Sequence, residues 1–463
     1  MLATFLAGTG CAVVIGFFLF CYRGFARTQT ANRAKSQRVN VFSFDHETHI
    51  MPGGKKTLSA FLALGLFPVA ATRAQIGGQA AIDANANQPG SVAASQATPA
   101  ETAPPAPLST PAMVGPLIAA SRRTFDAGPF GTLNVNGILS GFGSWQGHPV
   151  SSDQVARADV SNGQIFIQKT SGLVQFFLQA GTYNLPAIGM PFLSTRNTVK
   201  DYFGALPEAY LKLAPKGNFS FLIGKLPTLI GAEDTFSFEN MNIERGLLWN
   251  QENDIDRGMQ VNYSKGKLSG ALSWNDGFYS NRYNWLTGQF TYAANAANGL
   301  ELVAGANLGH TGYSSVSNPL YQNNSGIYEL IYTHTAKRWM IEPYFQYTYV
   351  PVDAKIGVSR ATATQGEAVL GNYSFPHNLT VAGRVEYISS TGGAHNGSVN
   401  LLYGPGSQAW SLTLTPTYQR KAFFVRDEAS VTQAVNFTPG DAFGANGLHS
   451  SQIRGVIECG LMF

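Results

Sequence analysis

Arg454-Gly-Val-Ile-Glu-Cys-Gly-Leu-Met-Phe463 is the stretch that decides the fold. Ile457, Cys459, Leu461 and Phe463 fall on one parity; Arg454, Val456, Glu458, Gly460 and Met462 fall on the other. Successive strand side chains point to opposite faces, so the alternation predicts a strand with one apolar and one mixed face. The strand runs unbroken to a terminal aromatic carboxylate. Soluble domains seldom finish on an apolar strand edge, because termini fray and exposed edges aggregate. A transmembrane barrel has a reason to finish this way. Its last strand closes the wall, faces lipid and carries an aromatic at the membrane rim.

Composition agrees. Charged residues make up 13% of the 463, about half the usual share for a soluble globular chain, while aromatics reach 12% and glycines number 50. Disorder throughout is excluded, since it needs high charge and few aromatics. The net charge of +4 is misleading. Eight of the 31 basic residues and two of the 27 acidic ones precede Gln75, leaving 23 against 25 in the remainder. No basic patch then argues for nucleic acid. Of the three cysteines, Cys11 and Cys21 lie early and only Cys459 lies late, so neither an intrachain disulfide nor a zinc cluster is expected beyond Gln75.

Lys55-Lys56, the apolar run from Leu58 to Ala71, and Thr72-Arg73-Ala74 have the layout of a secretory signal peptide. Met51 stands just upstream. An earlier apolar run, Leu2 to Tyr22, is long enough to span a bilayer but has its basic residues behind it. The reading is therefore that residues 1–50 are a gene-model extension, 51–74 a cleaved signal peptide and 75–130 a disordered Ala/Pro-rich periplasmic linker. Ala103-Pro-Pro-Ala-Pro107 favours extended polyproline geometry there.

From Gly131 to Phe463 short segments alternate. Val174, Phe176 and Leu178 oppose Gln175 and Gln179; Trp410, Leu412 and Leu414 oppose Ser411, Thr413 and Thr415. About sixteen such segments occur, each near the length of a tilted membrane-crossing strand. Their connections also alternate. Short ones rich in Gly, Asn, Pro or Lys are expected at Ser171-Gly172, Pro215 to Asn218, Ser264 to Lys267, Asn295 to Gly299, Thr335 to Lys337, Gly392 to Gly397 and Gln419 to Lys421. Long ones are expected at His148 to Asn162, Leu185 to Leu206, Leu229 to Asp256, Asp276 to Tyr283, His310 to Ser325, Pro351 to His377 and Ala429 to Ser450, with a brief one at Tyr403 to Gln408. The predicted fold is all-β: a transmembrane antiparallel up-and-down barrel of about 16 strands with short periplasmic turns.

Phe238-Glu-Asn-Met-Asn-Ile-Glu-Arg-Gly-Leu-Leu-Trp249, Asp256-Arg-Gly-Met-Gln-Val-Asn-Tyr263, Leu272-Ser-Trp-Asn-Asp-Gly-Phe-Tyr-Ser-Asn-Arg-Tyr-Asn-Trp285, Val385-Glu-Tyr387 and the closing strand carry a family likeness. Over roughly Gly131 to Phe463 the chain resembles the outer-membrane β-barrel porins called OmpL-like or porin-2. The resemblance implies a Gram-negative outer-membrane porin. It supplies neither substrate nor catalytic residues.

Charges on wall strands should face water, because a charge facing lipid at mid-depth costs about 2–4 kcal/mol. Candidate lumen residues are Lys169, Glu208, Lys212, Glu301, Glu342, Arg384, Glu386, Arg426, Arg454 and Glu458. The connection Leu229 to Asp256 lies where sixteen-strand porins fold a loop into the bore. It carries Glu233, Asp234, Glu239, Glu244, Glu252, Asp254 and Asp256 against Arg245 and Arg257, and Phe236, Phe238 and Trp249 as anchors. Folded inward it would narrow the pore and favour cations; folded outward it would be a solvated loop. Asn275 to Trp285 could stack and hydrogen-bond a sugar, though a structured turn is the commoner meaning of such residues.

No His-x-x-x-His, Cys-x-x-Cys or phosphate-binding glycine loop occurs beyond Gln75, so no enzyme, cofactor or metal is expected. Expected partners are outer-membrane lipids and lipopolysaccharide, the barrel-assembly machinery through the strand ending at Phe463, small hydrophilic solutes and a homotrimer. Passive diffusion of small hydrophilic solutes is the expected function. A sugar- or oligopeptide-selective channel and a non-conducting structural or adhesive barrel remain open.

Overall fold

The computed structural model describes residues 113–119, 122–393 and 395–463. The expected extension, the signal peptide and most of the linker lie outside them. Seventeen strands form one sheet. β1 (Arg123–Asp126) is a short extra strand. The other sixteen are β2 (Thr132–Gln146), β3 (Ala156–Lys169), β4 (Val174–Tyr183), β5 (Glu208–Leu213), β6 (Phe219–Pro227), β7 (Ile255–Lys265), β8 (Leu268–Asn275), β9 (Trp285–Asn295), β10 (Asn298–Asn307), β11 (Gly326–Thr335), β12 (Trp339–Val350), β13 (Thr362–Phe375), β14 (Leu379–Ser390), β15 (Gln408–Arg420), β16 (Phe423–Val435) and β17 (Ser451–Met462).

From β2 onward each strand pairs antiparallel with the next, and β17 returns to β2, with Met462 opposite Ile138 and Arg454 opposite Gln146. The cylinder is therefore closed, which leaves no strand edge facing hydrocarbon. At the seam the Phe463 N–H donates to the Gly137 carbonyl at 2.9 Å and the Gly137 N–H donates back at 2.6 Å. β1 occupies the start of β2 that β17 does not reach, with Arg123 opposite Val135. Residues 123–130 fall in the expected disordered linker but are ordered. They hold this strand and the one-turn 3-10 helix Gly128–Phe130.

Parity sorts the wall as the sequence predicts. Leu139, Ile165, Leu211, Phe221, Leu272, Leu302, Val385 and Ile457 are exposed on the outside, while Gln164, Gln179, Thr291, Ser411, Thr413 and Thr432 are buried inside. Exposed aromatics mark both rims: Phe219, Trp339, Phe375, Tyr418 and Phe463 at the short-turn end, and Trp145, Trp274, Tyr283 and Tyr349 at the long-loop end. This is the girdle arrangement of membrane barrels.

Three connections differ from the sequence expectation. Pro351 to His377 is not one long loop, because it contains β13. The stretch from 391 to 407 is a single long-loop segment, so Gly392 to Gly397 is not a short-end turn and Tyr403 to Gln408 is not a separate connection. These differences offset each other, and the strand number stays at sixteen. β13 is hard to read because the faces of its middle are inverted. Ala368 and Leu370 point inward and are buried, and Gly366 lies so close to Leu248 that a Cβ there would stand 2.8 Å from Leu248 Cγ. Outward, Gln365 and Glu367 precede the apolar Val369, Tyr373 and Phe375. Conversely, Val399 and Leu401 alternate like strand residues but fill a loop cluster with Val350, Ile356 and Val358.

Candidate functional site

The connection from β6 to β7, residues 228–254, folds into the barrel. Nearly every side chain in it is buried. Two of its three expected anchors, Phe236 and Phe238, pack on wall rings. Phe238 packs on Phe166 of β3 at 5.7 Å between ring centroids, and Phe236 meets Tyr183 of β4 edge-on at 5.2 Å. Leu247 and Leu248 join a cluster with Ile188, Ile331, Tyr344, Ala368 and Tyr403. Apolar packing thus joins loop to wall on several sides, since Ile230 also packs on Trp285, Val303 and Ile327.

Three wall arginines grip this loop. Arg384 of β14 donates to Glu233 Oε1 at 2.6 Å, to the Glu244 carbonyl at 2.8 Å and to Glu386 Oε2 at 3.1 Å. Arg426 of β16 donates to the carbonyls of Ser237, Asn240 and Met241 at 2.8–2.9 Å and stands 3.6 Å from Glu458. Arg454 of β17 donates to Glu244 Oε1 and the Ala187 carbonyl at 2.8 Å, and also to the Met190 carbonyl. Wall carboxylates hold the loop backbone from the other direction. Glu428 accepts from the N–H groups of Ile243 and Glu244, Glu329 from Gly231, and Glu386 from Leu248. Charge-assisted bonds of this kind are about twice as strong as neutral ones.

A second loop, 184–207, reinforces the first. It carries the short helix Thr195–Asp201. Its backbone pairs with the inward loop through Arg245 N–H to Pro186 carbonyl and Ile188 N–H to Arg245 carbonyl, each 3.0 Å. The Arg245 guanidinium is buried with its charge centre 5.0 Å above the Trp249 ring.

The remaining site candidates fall into place unevenly. Glu301 faces inward and accepts from Gln289 at 2.8 Å; Glu342 accepts from Thr333 at 2.5 Å; Glu458 accepts from Ser140 and Ser237. Glu239 accepts the Phe236 N–H at 3.0 Å and so shapes the loop's own turn. Asp234 is half-buried, and its N–H is held by Asn240. Lys212 is half-buried and alternates with the outward Leu211 and Leu213. Lys169 is a correction. It alternates with the buried Gln168, and its ammonium donates to the Ser171 and Val174 carbonyls at 2.7 Å, so it caps the β3–β4 turn instead of lining the bore. Outward charges are a second correction: Glu367 and Asp427 are exposed on the outer face of β13 and β16. The segment Asn275 to Trp285 is a structured turn. Asp276 accepts from Arg257 and Asn281, Asn275 accepts from Gly277, and Phe278 packs on Trp285.

Glu329, Glu428 and Gly366 are functional positions beyond the candidates that the sequence offers. The first two sit on alternating strands, where parity would have flagged them.

Water contact is also uneven. On the lower inner wall of β5–β8, Lys212, Ser220, Gln260, Asn262 and Ser269 are half-buried. On β14–β17 the inward Arg384, Glu386, Arg426, Glu428, Arg454 and Glu458 are all buried. The arginines therefore lie behind the loop. Asp254 keeps 8% exposure and Glu252 and Glu301 keep 6%, whereas Arg245 and Arg426 have none.

A family model described as beta-barrel porin-2, OmpL-like matches residues 132–463. No curated protein matches in sequence. Among solved structures, an anion-selective porin from Comamonas acidovorans is similar at TM-score 0.51 and 8% identity, over 72% of this chain and 99% of that one. OmpT of Vibrio cholerae gives 0.48 and 12%, over 72% and 98%. Salmonella typhi OmpF gives 0.46 and 13%, over 72% and 98%. The likeness to the Comamonas protein is one of fold.

Proposed function

The chain belongs to the beta-barrel porin-2, OmpL-like family, and from that premise we propose how this outer-membrane porin conducts. Small hydrophilic solutes pass by diffusion along the inner wall of β5–β8, beside the inward loop. One observation carries this reading: towards the short-turn end of β5–β8 the polar residues Lys212, Gln260 and Asn262 are half-buried, whereas the inward charges of β14–β17 are buried behind the loop.

The path prefers cations. Each wall arginine is matched by at least one carboxylate within 4 Å. Beyond those pairs the inward face holds Glu208, Glu252, Asp254 and Glu329 against Lys212 and Arg245. Side-chain charges lining a pore set which ions enter it. Passage without catalysis is the activity proposed, in a protein exported through cleavage after Ala74.

Self-association belongs to the same proposal, with a homotrimer as the expected assembly. Asp427 points outward, and in the cross-strand direction Ile457 and then Gly143 lie beside it. A Cβ on Gly143 would meet nothing within 4 Å. A second copy could approach that flat surface closely and supply a polar partner for the carboxylate.

A second reading is a structural barrel without conductance, favoured by the apolar cluster around Leu248, Tyr403 and Phe443. Planar-bilayer recording on the processed protein separates the two. Stable open steps are expected, and blockade by sugars or oligopeptides would move the reading to a selective channel. Silence at all voltages would establish the structural barrel.

A further inference from the structure

The segment Met113–Ala119 precedes the barrel wall yet lies inside the barrel. Leu117 is fully buried, in the apolar cluster that includes Ile138 of β2, Phe166 of β3, Phe424 of β16 and Phe238 of the inward loop. Ile138, Phe166 and Phe424 all point inward near the short-turn end, so the segment occupies that mouth. Its hold is polar as well as apolar. The N–H groups of Val114 and Gly115 both donate to the Glu239 carbonyl, at 2.9 and 2.8 Å. The Ile118 N–H donates to Gln419 Oε1 at 2.7 Å, and Gln419 Nε2 donates back to the Ile118 carbonyl at 2.9 Å.

Gly115 fixes how close the segment comes. A Cβ there would stand 2.0 Å from the Asn240 carbonyl oxygen and 2.3 Å from its carbon. That carbonyl cannot easily retreat, because it also accepts from Arg426 Nη2 at 2.9 Å. Only glycine lets the two backbones meet at this distance. The inward loop is therefore held on two sides at its tip: by Arg426 from the wall, and by Val114 and Gly115 from below.

We propose that Met113–Ala119 is part of the pore, a plug that narrows the short-turn mouth and positions the tip of the inward loop at Glu239 and Asn240. Its residues contribute no strand to the wall. Displacing it should open the pore without dissolving the barrel. The proposal rests on the conducting reading above.

Two variants of the processed protein, purified from outer membranes, test it. Gly115→Val places side-chain atoms where the Asn240 backbone stands. Deletion of Met113–Ala119 removes the segment outright. Heat-dependent gel mobility reports whether each barrel is folded. Single-channel conductance in folded variants is expected to rise about two-fold, since conduction follows the open cross-section, and larger oligosaccharides should enter proteoliposomes. Conducting variants beside a silent parent would support the plug equally. A parent and folded Gly115→Val variant with the same conductance and the same size limit would overturn it while leaving the porin reading intact. Silence in all three proteins would overturn both. Should the deletion fail to assemble, Gly115→Val alone decides, because its site lies off the wall.

Discussion

Arg384 of β14 and Glu233 of the inward loop form an ion pair at 2.6 Å with neither side chain in contact with water to any useful extent. The same guanidinium holds Glu386 and the Glu244 carbonyl. Removing one partner of a buried pair leaves an uncompensated charge, at a cost of about 3–5 kcal/mol. Arg384→Ala would strand Glu233 and Glu386 together. We expect the loop to detach from β14, with larger and noisier current steps and a lower temperature for loss of the fast-migrating gel band. Arg384→Met, which fills the space without the charge, should behave in the same way because both carboxylates remain. Quiet steps at the parental conductance in either variant would show that the loop is held without this pair.

The charge layout gives a second prediction. The three wall arginines pair with Glu233, Glu386, Glu458 and Glu244, and neither Asp254 nor Glu208 is among these partners. In a salt gradient the parent should show a cation-preferring reversal potential. Glu208→Gln with Asp254→Asn should lower the cation-to-anion permeability ratio about two-fold. A parent that prefers anions, or a ratio that the double variant leaves unmoved, would rule out this path.

Most of the barrel is legible in the chain because lipid on one side and polar interior on the other impose a period of two. Leu272, Trp274, Ser273 and Asn275 show both faces in four residues. Legibility fails where the interior is not wet. β13 turns Gly366, Ala368 and Leu370 inward where the inward loop covers that wall with Leu248, and there the period survives while its polarity flips over part of the strand. The site behaves likewise. Inward parity alone identifies Arg384, Arg426 and Arg454. Which carboxylate or carbonyl each one grips depends on the path of a 27-residue connection, 228–254, which carries no period at all. Lys169 was misplaced because it sits at the last position of its strand, where a long side chain can fold back onto the turn. Leu117 and Gly115 gave no signal, since an Ala- and Pro-rich stretch has the composition of a linker wherever it ends up.

Barrel closure depends on a glycine. Gly137 exchanges two backbone hydrogen bonds with Phe463, and a Cβ on it would stand 2.7 Å from the Gln164 carbonyl and 2.9 Å from the Phe463 ring. Gly137→Val should therefore block the seam between β17 and β2. The expected result is loss of the heat-modifiable band and accumulation of unassembled chain in the periplasm. Removing Phe463 should do the same through the other partner. Normal assembly of Gly137→Val would mean that the seam tolerates a shifted register.

Asp427 offers the last test, of what lies outside the barrel. It sits between Val425 and Ala429 on the outer face of β16, with Ile457 opposite on β17. An ionised carboxylate facing lipid there costs on the order of 1–2 kcal/mol. If lipid were its only neighbour, Asp427→Leu would stabilise the barrel by about that amount and leave its size in detergent unchanged. If a second copy covers it, the same substitution removes a polar contact from the middle of an interface and should convert oligomer to monomer on a native gel. The open surface at Gly143 favours the second outcome, and Gly143→Leu, which adds bulk to that flat surface without altering charge, should reproduce it. A monomeric parent, or an oligomer indifferent to both substitutions, would place the contact between copies on another part of the wall.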